Sequence, residues 1–377
     1  MTKRIQDLIP PFVRAIEPYH PGKPIEELER ELGVRAVKLA SNENPLGPSP
    51  LAVAAAQKAL AESHRYPDGS GYYLRAELAQ RLGLALDQII LGGGSTDLIE
   101  LVAHTLLGPG DEGLTSAGSF PMYYIAIRAA GAKLRTVPLR GYDYDLDALA
   151  AAVTAGTKLV YLANPNNPTG TMFTAAHFER FLGHVEAESS AVVVLDEAYS
   201  EYVERPDYSR SLDLVRAGRR VLVLRTFSKV YGLAGLRIGY GLGPAELLAE
   251  MNKIRSPFNT AGLAQAAALA ALDDAEHVRR SIASNRAGLE QLAAGLARLG
   301  VKFVPSVANF VLVELGRDAG PGAAALERAG VIVRPMAWMG FPEAVRVTVG
   351  TRDENEKFLV ALAAVLARGE CQGGSAG

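Results

Sequence analysis

Short apolar runs alternate with amphipathic stretches along most of this chain. Runs at 89–91, 134–138, 158–162, 191–195, 221–224 and 237–241 read as strands, most of them apolar enough to be buried on both faces. Segments 52–63, 72–82, 98–107, 122–130, 175–186 and 212–217 place apolar residues at helical spacing and read as helices. Strands of this kind alternating with helices predict an α/β fold, a largely parallel central sheet with helices on both faces. Sheets of that type bind ligands at the carboxyl ends of their strands. Beyond residue 260 the pattern changes. It is helical to about 299, then strand-like at 301–303, 310–313, 331–334 and 345–349, with a last helix over 354–366. The expected organisation is a large domain over 46–270 and a smaller α+β domain made of 1–45 and 271–368. Residues 369–377 form a Gly/Ser tail expected to be disordered.

Composition narrows the class without identifying it. With 377 residues, 49% of them hydrophobic, the chain can bury a large core. A formal net charge of -2 offers no basic field for nucleic acid. One cysteine, Cys371, excludes an internal disulfide framework and fits a reducing compartment. The N-terminus lacks the apolar run of a signal peptide. The most apolar helical run, 263–272, is about half of the ~20 residues that span a bilayer. A cytoplasmic protein without membrane or nucleic-acid partners is expected. The six histidines form no metal set, and His177 and His184 lie two helical turns apart.

The candidate chemistry sits where strands end. Arg225-Thr226-Phe227-Ser228-Lys229 follows the run 221–224. Lysine forms imines with carbonyl cofactors, and desolvation lowers its pKa and frees the neutral amine. Taken alone, a surface lysine after a core strand is the better reading. Gly92-Gly93-Gly94-Ser95-Thr96 joins a strand to a helix, where backbone N–H groups and the helix terminus favour an anion. It has neither the lysine of a P-loop nor dinucleotide spacing, and a capped tight turn is the simpler account of it in isolation. Asn164-Pro165-Asn166-Asn167-Pro168-Thr169-Gly170 is more specific, because two X-Pro steps and a glycine stiffen a loop that presents Asn167. In Asp196-Glu197-Ala198-Tyr199 the carboxylate suits a protonated pyridine nitrogen and Tyr199 suits a phenolate oxygen. A helix cap and a packed tyrosine are the plainer readings of that pair.

In this order, with Ala234-Gly235-Leu236-Arg237-Ile238-Gly239-Tyr240 after the lysine, the motifs resemble fold-type I pyridoxal-phosphate aminotransferases of the aspartate aminotransferase superfamily. The likeness runs from about Tyr19 to the last helix. Asn42-Glu43-Asn44-Pro45-Leu46-Gly47, Tyr66-Pro67-Asp68, Gly330-Val331-Ile332-Val333-Arg334-Pro335 and Arg346-Val347-Thr348-Val349-Gly350-Thr351 make it most similar to the histidinol-phosphate aminotransferases. The resemblance implies that Lys229 binds pyridoxal 5'-phosphate covalently, Asp196 pairs with its ring nitrogen, and Asn167 and Tyr199 contact its ring oxygen. Ser95, Thr96, Ser228 and Arg237 would hold the phosphate, with Tyr66 arriving from the partner of a homodimer. Phe120 would stack on the ring where many relatives carry tyrosine, and Thr96 stands where an acidic residue is common. Tyr19, Asn44, Arg334 and Arg346 would face substrate, the two arginines clamping its anion as lysine cannot. The implied reaction moves an amino group reversibly between L-histidinol phosphate and 2-oxoglutarate, giving imidazole-acetol phosphate and L-glutamate, in histidine biosynthesis. A broad-specificity aromatic aminotransferase and a threonine-phosphate decarboxylase use similar motifs. A non-catalytic cofactor-binding regulator is disfavoured by the intact lysine, aspartate and tyrosine.

Overall fold

Alternation of side chains along the strands decides how the main sheet is covered. In chain order the strands are β1 (Val37–Lys38), β2 (Ile89–Gly92), β3 (Glu112–Ser116), β4 (Lys133–Val137), β5 (Thr157–Ala163), β6 (Val192–Asp196) and β7 (Val221–Thr226). They continue with β8 (Gly239–Leu242), β9 (Phe303–Val304), β10 (Phe310–Glu314), β11 (Val331–Ile332), β12 (Arg334–Met336) and β13 (Phe341–Thr348). Val160, Leu162, Val193, Leu195, Val221 and Val223 point into one apolar core. Their neighbours Leu159, Tyr161, Val194, Leu222 and Leu224 point into another on the opposite face. Period-two alternation in strands that are apolar at every position is what a sheet buried on both sides requires. The computed structural model that shows this describes residues 4–20, 22–33, 35–316 and 318–369. Of the tail expected to be disordered, 370–377, including Cys371, lie outside the described residues.

The main sheet has seven strands in the order β2-β8-β7-β6-β5-β3-β4. All pairings are parallel except those of β8, which runs antiparallel to both β2 and β7. The fold is therefore α/β with a mostly parallel sheet, as the pattern predicts. Two details differ from that pattern. β3 goes unpredicted because its sequence, Glu-Gly-Leu-Thr-Ser, is nearly devoid of apolar residues. Gly113 is needed there: a Cβ would come within 2.6 Å of the Ile127 side chain on the overlying helix Met122–Ala129. The strand predicted at 237–241 starts at Gly239, and Arg237 stands before it in the left-handed region, φ 54°.

The second sheet is antiparallel, β12-β13-β10-β9, and its core joins Val311, Val313, Val345 and Val347 to Leu292, Leu296, Phe358 and Leu362 from two long helices. The last of these, Arg352–Ala367, begins with a capping box in which Thr351 N donates to Glu354 Oε2 at 2.7 Å. The single run predicted at 331–334 divides. β11 pairs in parallel with β1, while β12 enters the antiparallel sheet. That pairing fastens the N-terminal segment to the C-terminal unit and delivers residues 39–44 to the edge of the large sheet. Among the described residues no helix is long and apolar enough to cross a membrane.

Candidate active site

A parallel sheet brings the ends of β5, β6 and β7 to one edge, so the loops that follow them converge. β8 runs the other way and brings its beginning to that edge, which is why Arg237 joins them. A cavity of about 250 Å³ lies there, lined by Lys229, Asp196, Tyr199, Asn167 and Arg346. Ser95, Thr96, Ser228, Arg237, Phe120, Tyr19 and Arg334 complete the predicted residues on its wall. Two predicted residues are elsewhere. Asn44 does not line the cavity; its Nδ2 donates to Val230 O at 2.8 Å and Ser281 Oγ at 2.9 Å, and its Oδ1 accepts from Leu46 N at 3.0 Å. With both ends of its amide engaged, Asn44 braces the backbone beside Lys229. Tyr66 is 83% exposed and stacks on Phe258, ring centroids 4.6 Å apart, on the outer surface.

Lys229 Nζ donates to Ser41 O at 3.3 Å. Burial pushes its pKa down to about 8, helped by the nearby Arg346 and Arg237 guanidiniums. A neutral amine is thus within reach near physiological pH. Asp196 Oδ2 accepts from Tyr123 Oη at 2.9 Å and Oδ1 from Ala198 N at 3.1 Å. Burial raises its pKa to about 6, against the pull of those two donors. A cation placed beside it would hold it ionised.

Three asparagines share the loop after β5, and the structure separates their roles. Asn164 bonds both N and O of Phe173, and Asn166 bonds Ser119, Gly118 and Thr169. Asn167 alone lines the cavity, its Oδ1 accepting from Arg346 Nη1 at 2.6 Å. That contact leaves the Asn167 NH₂ free to donate. Arg346 is 8% exposed; its Nη2 donates to Ala40 O at 2.7 Å, and its Nε is buried with no partner. Arg334 is 7% exposed and lies over the faces of Tyr19 and Trp338, 5.9 and 5.1 Å from the ring centroids. Among the described residues neither arginine forms an ion pair.

At the other end of the cavity, helix Ser95–Leu106 directs its N-terminus inward. Arg237 Nη1 donates to Ser228 Oγ at 3.3 Å and Nη2 to Gly93 O at 3.2 Å. The backbones here touch: a Cβ on Gly239 would lie 2.8 Å from Ser95 N and 2.9 Å from Arg225 O. Free N–H groups, three hydroxyls and a guanidinium around one point suit a phosphate. The cavity can thus hold an anion at each end, with an amine, a carboxylate and an aromatic ring between them.

Sequence reading missed Tyr123 and Asn42. Tyr123 looks like one more core aromatic of its helix, and only its place one turn after Phe120 hints at more. Asn42 Nδ2 donates to Tyr199 Oη at 3.0 Å; within the segment Asn42-Glu43-Asn44 nothing local says which amide faces the site.

Comparisons with known proteins give the family. The aminotransferase class I and II family model matches residues 34–362. The chain is 52% identical over 362 residues to a histidinol-phosphate aminotransferase of Anaeromyxobacter sp., covering 95% of this chain and 99% of that one. It is 50% identical over 355 residues to histidinol-phosphate aminotransferase 1 of Nitrosococcus oceani, covering 94% and 95% respectively. Among solved structures, the histidinol-phosphate aminotransferase of Sinorhizobium meliloti in complex with pyridoxal-5'-phosphate superposes with a TM-score of 0.85 at 30% identity, over 96% of this chain and 98% of that one.

Proposed function

The chain belongs to the class I and II aminotransferases, and from that premise we infer that it is a histidinol-phosphate aminotransferase, exchanging an amino group between L-histidinol phosphate and 2-oxoglutarate. The observation that carries the substrate assignment is the pair Arg346 and Arg334. Both are buried in the wall that holds Lys229, and neither meets a carboxylate among the described residues. Two uncompensated guanidiniums favour a dianion such as a phosphate monoester, while Arg346 with its free Nε suffices for the carboxylate of glutamate.

The residues present fit pyridoxal 5'-phosphate, because a helix N-terminus, three hydroxyls and the Arg237 guanidinium gather at one end of the cavity as a phosphate requires. Ser95, Thr96, Ser228 and Arg237 would hold that phosphate, Phe120 would cover the ring, and Asp196 would face its nitrogen. Asn167 and Tyr199 would donate to its ring oxygen. Bound there, the group supplies a carbonyl that captures the substrate amine and a ring that takes up the electrons released at the α-carbon. Lys229 Nζ, neutral above about pH 8, would take the α-proton as general base and, as general acid, deliver it to the carbon that carried the bound group's carbonyl. Asp196 stays ionised against the ring nitrogen. Arg346 and Arg334 fix the substrate's anion, so the proton to be moved stays near Lys229.

The same inference makes the protein a cytoplasmic homodimer in which Tyr66, exposed in its own chain, reaches the partner's phosphate. It also divides the chain into a large domain, 46–270, and a small one, 1–45 with 271–368; two separate apolar cores favour two units, with Ala271 packed in the core of the larger. The test is a comparison of half-reactions, followed by the absorbance of bound cofactor, with histidinol phosphate, phenylalanine and threonine phosphate. Histidinol phosphate is expected to react fastest. Faster reaction with phenylalanine, or release of carbon dioxide from threonine phosphate, would overturn the assignment.

A further inference from the structure

Asn42 has φ 55°, a left-handed conformation that a non-glycine residue rarely adopts. It is 1% exposed, and each of its polar groups is engaged. Its backbone N donates to Thr348 Oγ1 at 2.9 Å, and its backbone O accepts from Asn309 Nδ2 at 3.0 Å. Its Oδ1 accepts from Thr348 Oγ1 at 3.2 Å, and its Nδ2 donates to Tyr199 Oη at 3.0 Å.

The direction of this chain of bonds follows from what each group can do. A backbone N–H can only donate, so Thr348 Oγ1 accepts from it, and in the structure the threonine hydroxyl turns its own proton to Asn42 Oδ1. That contact identifies the oxygen end of the amide. The end facing Tyr199 is the NH₂, and Tyr199 Oη accepts from it. The phenol's own proton finds no acceptor among the described residues. We propose that Asn42, locked by Thr348, is a positioning residue that sets the polarity of the Tyr199 hydroxyl, so that its proton is always offered to an anionic oxygen in the cavity. The proposal rests on the function inferred above only for the identity of that oxygen.

The three members come from different parts of the fold: Asn42 from the segment after β1, Thr348 from the end of β13, Tyr199 from the loop after β6. The hydroxyl is therefore polarised only when both units and the N-terminal segment are docked. Burial and then the neighbouring Arg346 dominate the ionisation of Tyr199; the Asn42 bond acts with Arg346 in favouring the phenolate, as a donor to that oxygen must.

Thr348→Val keeps the side-chain shape and removes the oxygen, and Thr348→Ser restores it; position 348 does not line the cavity. Asn42→Asp puts an acceptor where the NH₂ stood. The full chain is labelled with ¹³Cζ-tyrosine, the Tyr199 signal is assigned with Tyr199→Phe, and its chemical shift is read at neutral pH without cofactor. Pyridoxal phosphate affinity is read separately from its absorbance. Thr348→Ser is expected to match wild type in both. Thr348→Val and Asn42→Asp are expected to move the Tyr199 signal and to weaken cofactor binding roughly tenfold, the worth of one hydrogen bond. A Tyr199 signal unmoved in the folded variants, with affinity unchanged within about twofold, overturns the proposal. If one variant fails to fold, the other decides. A wild-type chain that bound no pyridoxal phosphate would count against the inferred function, while the Tyr199 signal would still judge this polarity.

Discussion

Arg346→Lys is the substitution that tests the anion site most directly, because it preserves charge and changes only geometry. The guanidinium makes three uses of one plane: Nη1 holds Asn167 Oδ1 at 2.6 Å, Nη2 holds Ala40 O at 2.7 Å, and Nε is left for a ligand. An ammonium on a flexible stem cannot serve all three. At least one buried acceptor is left unpaired, worth about 1–3 kcal/mol, and one charge-assisted bond to the ligand is lost, worth about 1.5–3 kcal/mol. Allowing for partial relaxation, the loss in kcat/KM comes to about 3–4 kcal/mol, or roughly 10²–10³-fold. Freeing Asn167 also loosens the amide proposed to meet the cofactor, so kcat should fall as well as KM rise. The assay is each half-reaction separately, with histidinol phosphate and with glutamate. Both should suffer alike, since both anions would use Arg346. A loss below about tenfold, or one confined to a single substrate, would refute the idea that this arginine clamps both.

Arg334→Gln should behave differently, raising KM for histidinol phosphate roughly tenfold or more while sparing glutamate, as measured by the same half-reactions. Lys229 carries a pKa of about 8 against an ordinary 10.5. Between those values the unfolded chain holds a proton that the folded chain has released, so this group makes cofactor-free stability rise from pH 8 to 10.5. Lys229→Met should remove that rise in urea titrations, and should abolish the borohydride-fixed cofactor adduct on the peptide containing residue 229. Gly239→Ala places a Cβ against Ser95 N and Arg225 O, both backbone, so neither can swing away. It should cost about 1–3 kcal/mol in denaturant titrations and weaken cofactor binding. Tyr66→Ala should lower cofactor affinity only in the dimer, and mixing it with a Lys229→Ala chain should leave half the mixed-dimer sites with both residues intact, detectable by cofactor titration.

Much of this site was legible before any coordinates, and the legible part has a common cause. Asn167, Asp196, Tyr199, Lys229 and Arg237 each belong to a short motif attached to a strand, and strand periodicity, X-Pro restriction and glycine freedom act over a few residues. Local chemistry of that range marks each segment, but alone most of them also fit a plainer account, and only their order together points to one chemistry. What stayed hidden depends on partners far apart in sequence. Tyr123 meets Asp196 across 73 positions, and Asn42 meets Tyr199 across 157. Thr348 meets Asn42 across 306, and nothing near any of these residues marks the pairing.

The chain's pattern by itself determined the α/β class and the loops at the strand ends, while the lysine, aspartate and arginine in them took roles only from the resemblance of the ordered motifs. Only the tertiary structure decided that β8 runs antiparallel and so brings Arg237 to the common edge. It alone chose Asn42 over Asn44, and it placed Arg346 from the second sheet beside Asn167 from the first. The physical reason is that hydrogen-bond direction and charge neighbourhood are properties of packed surfaces, whose members the backbone's short-range preferences do not specify.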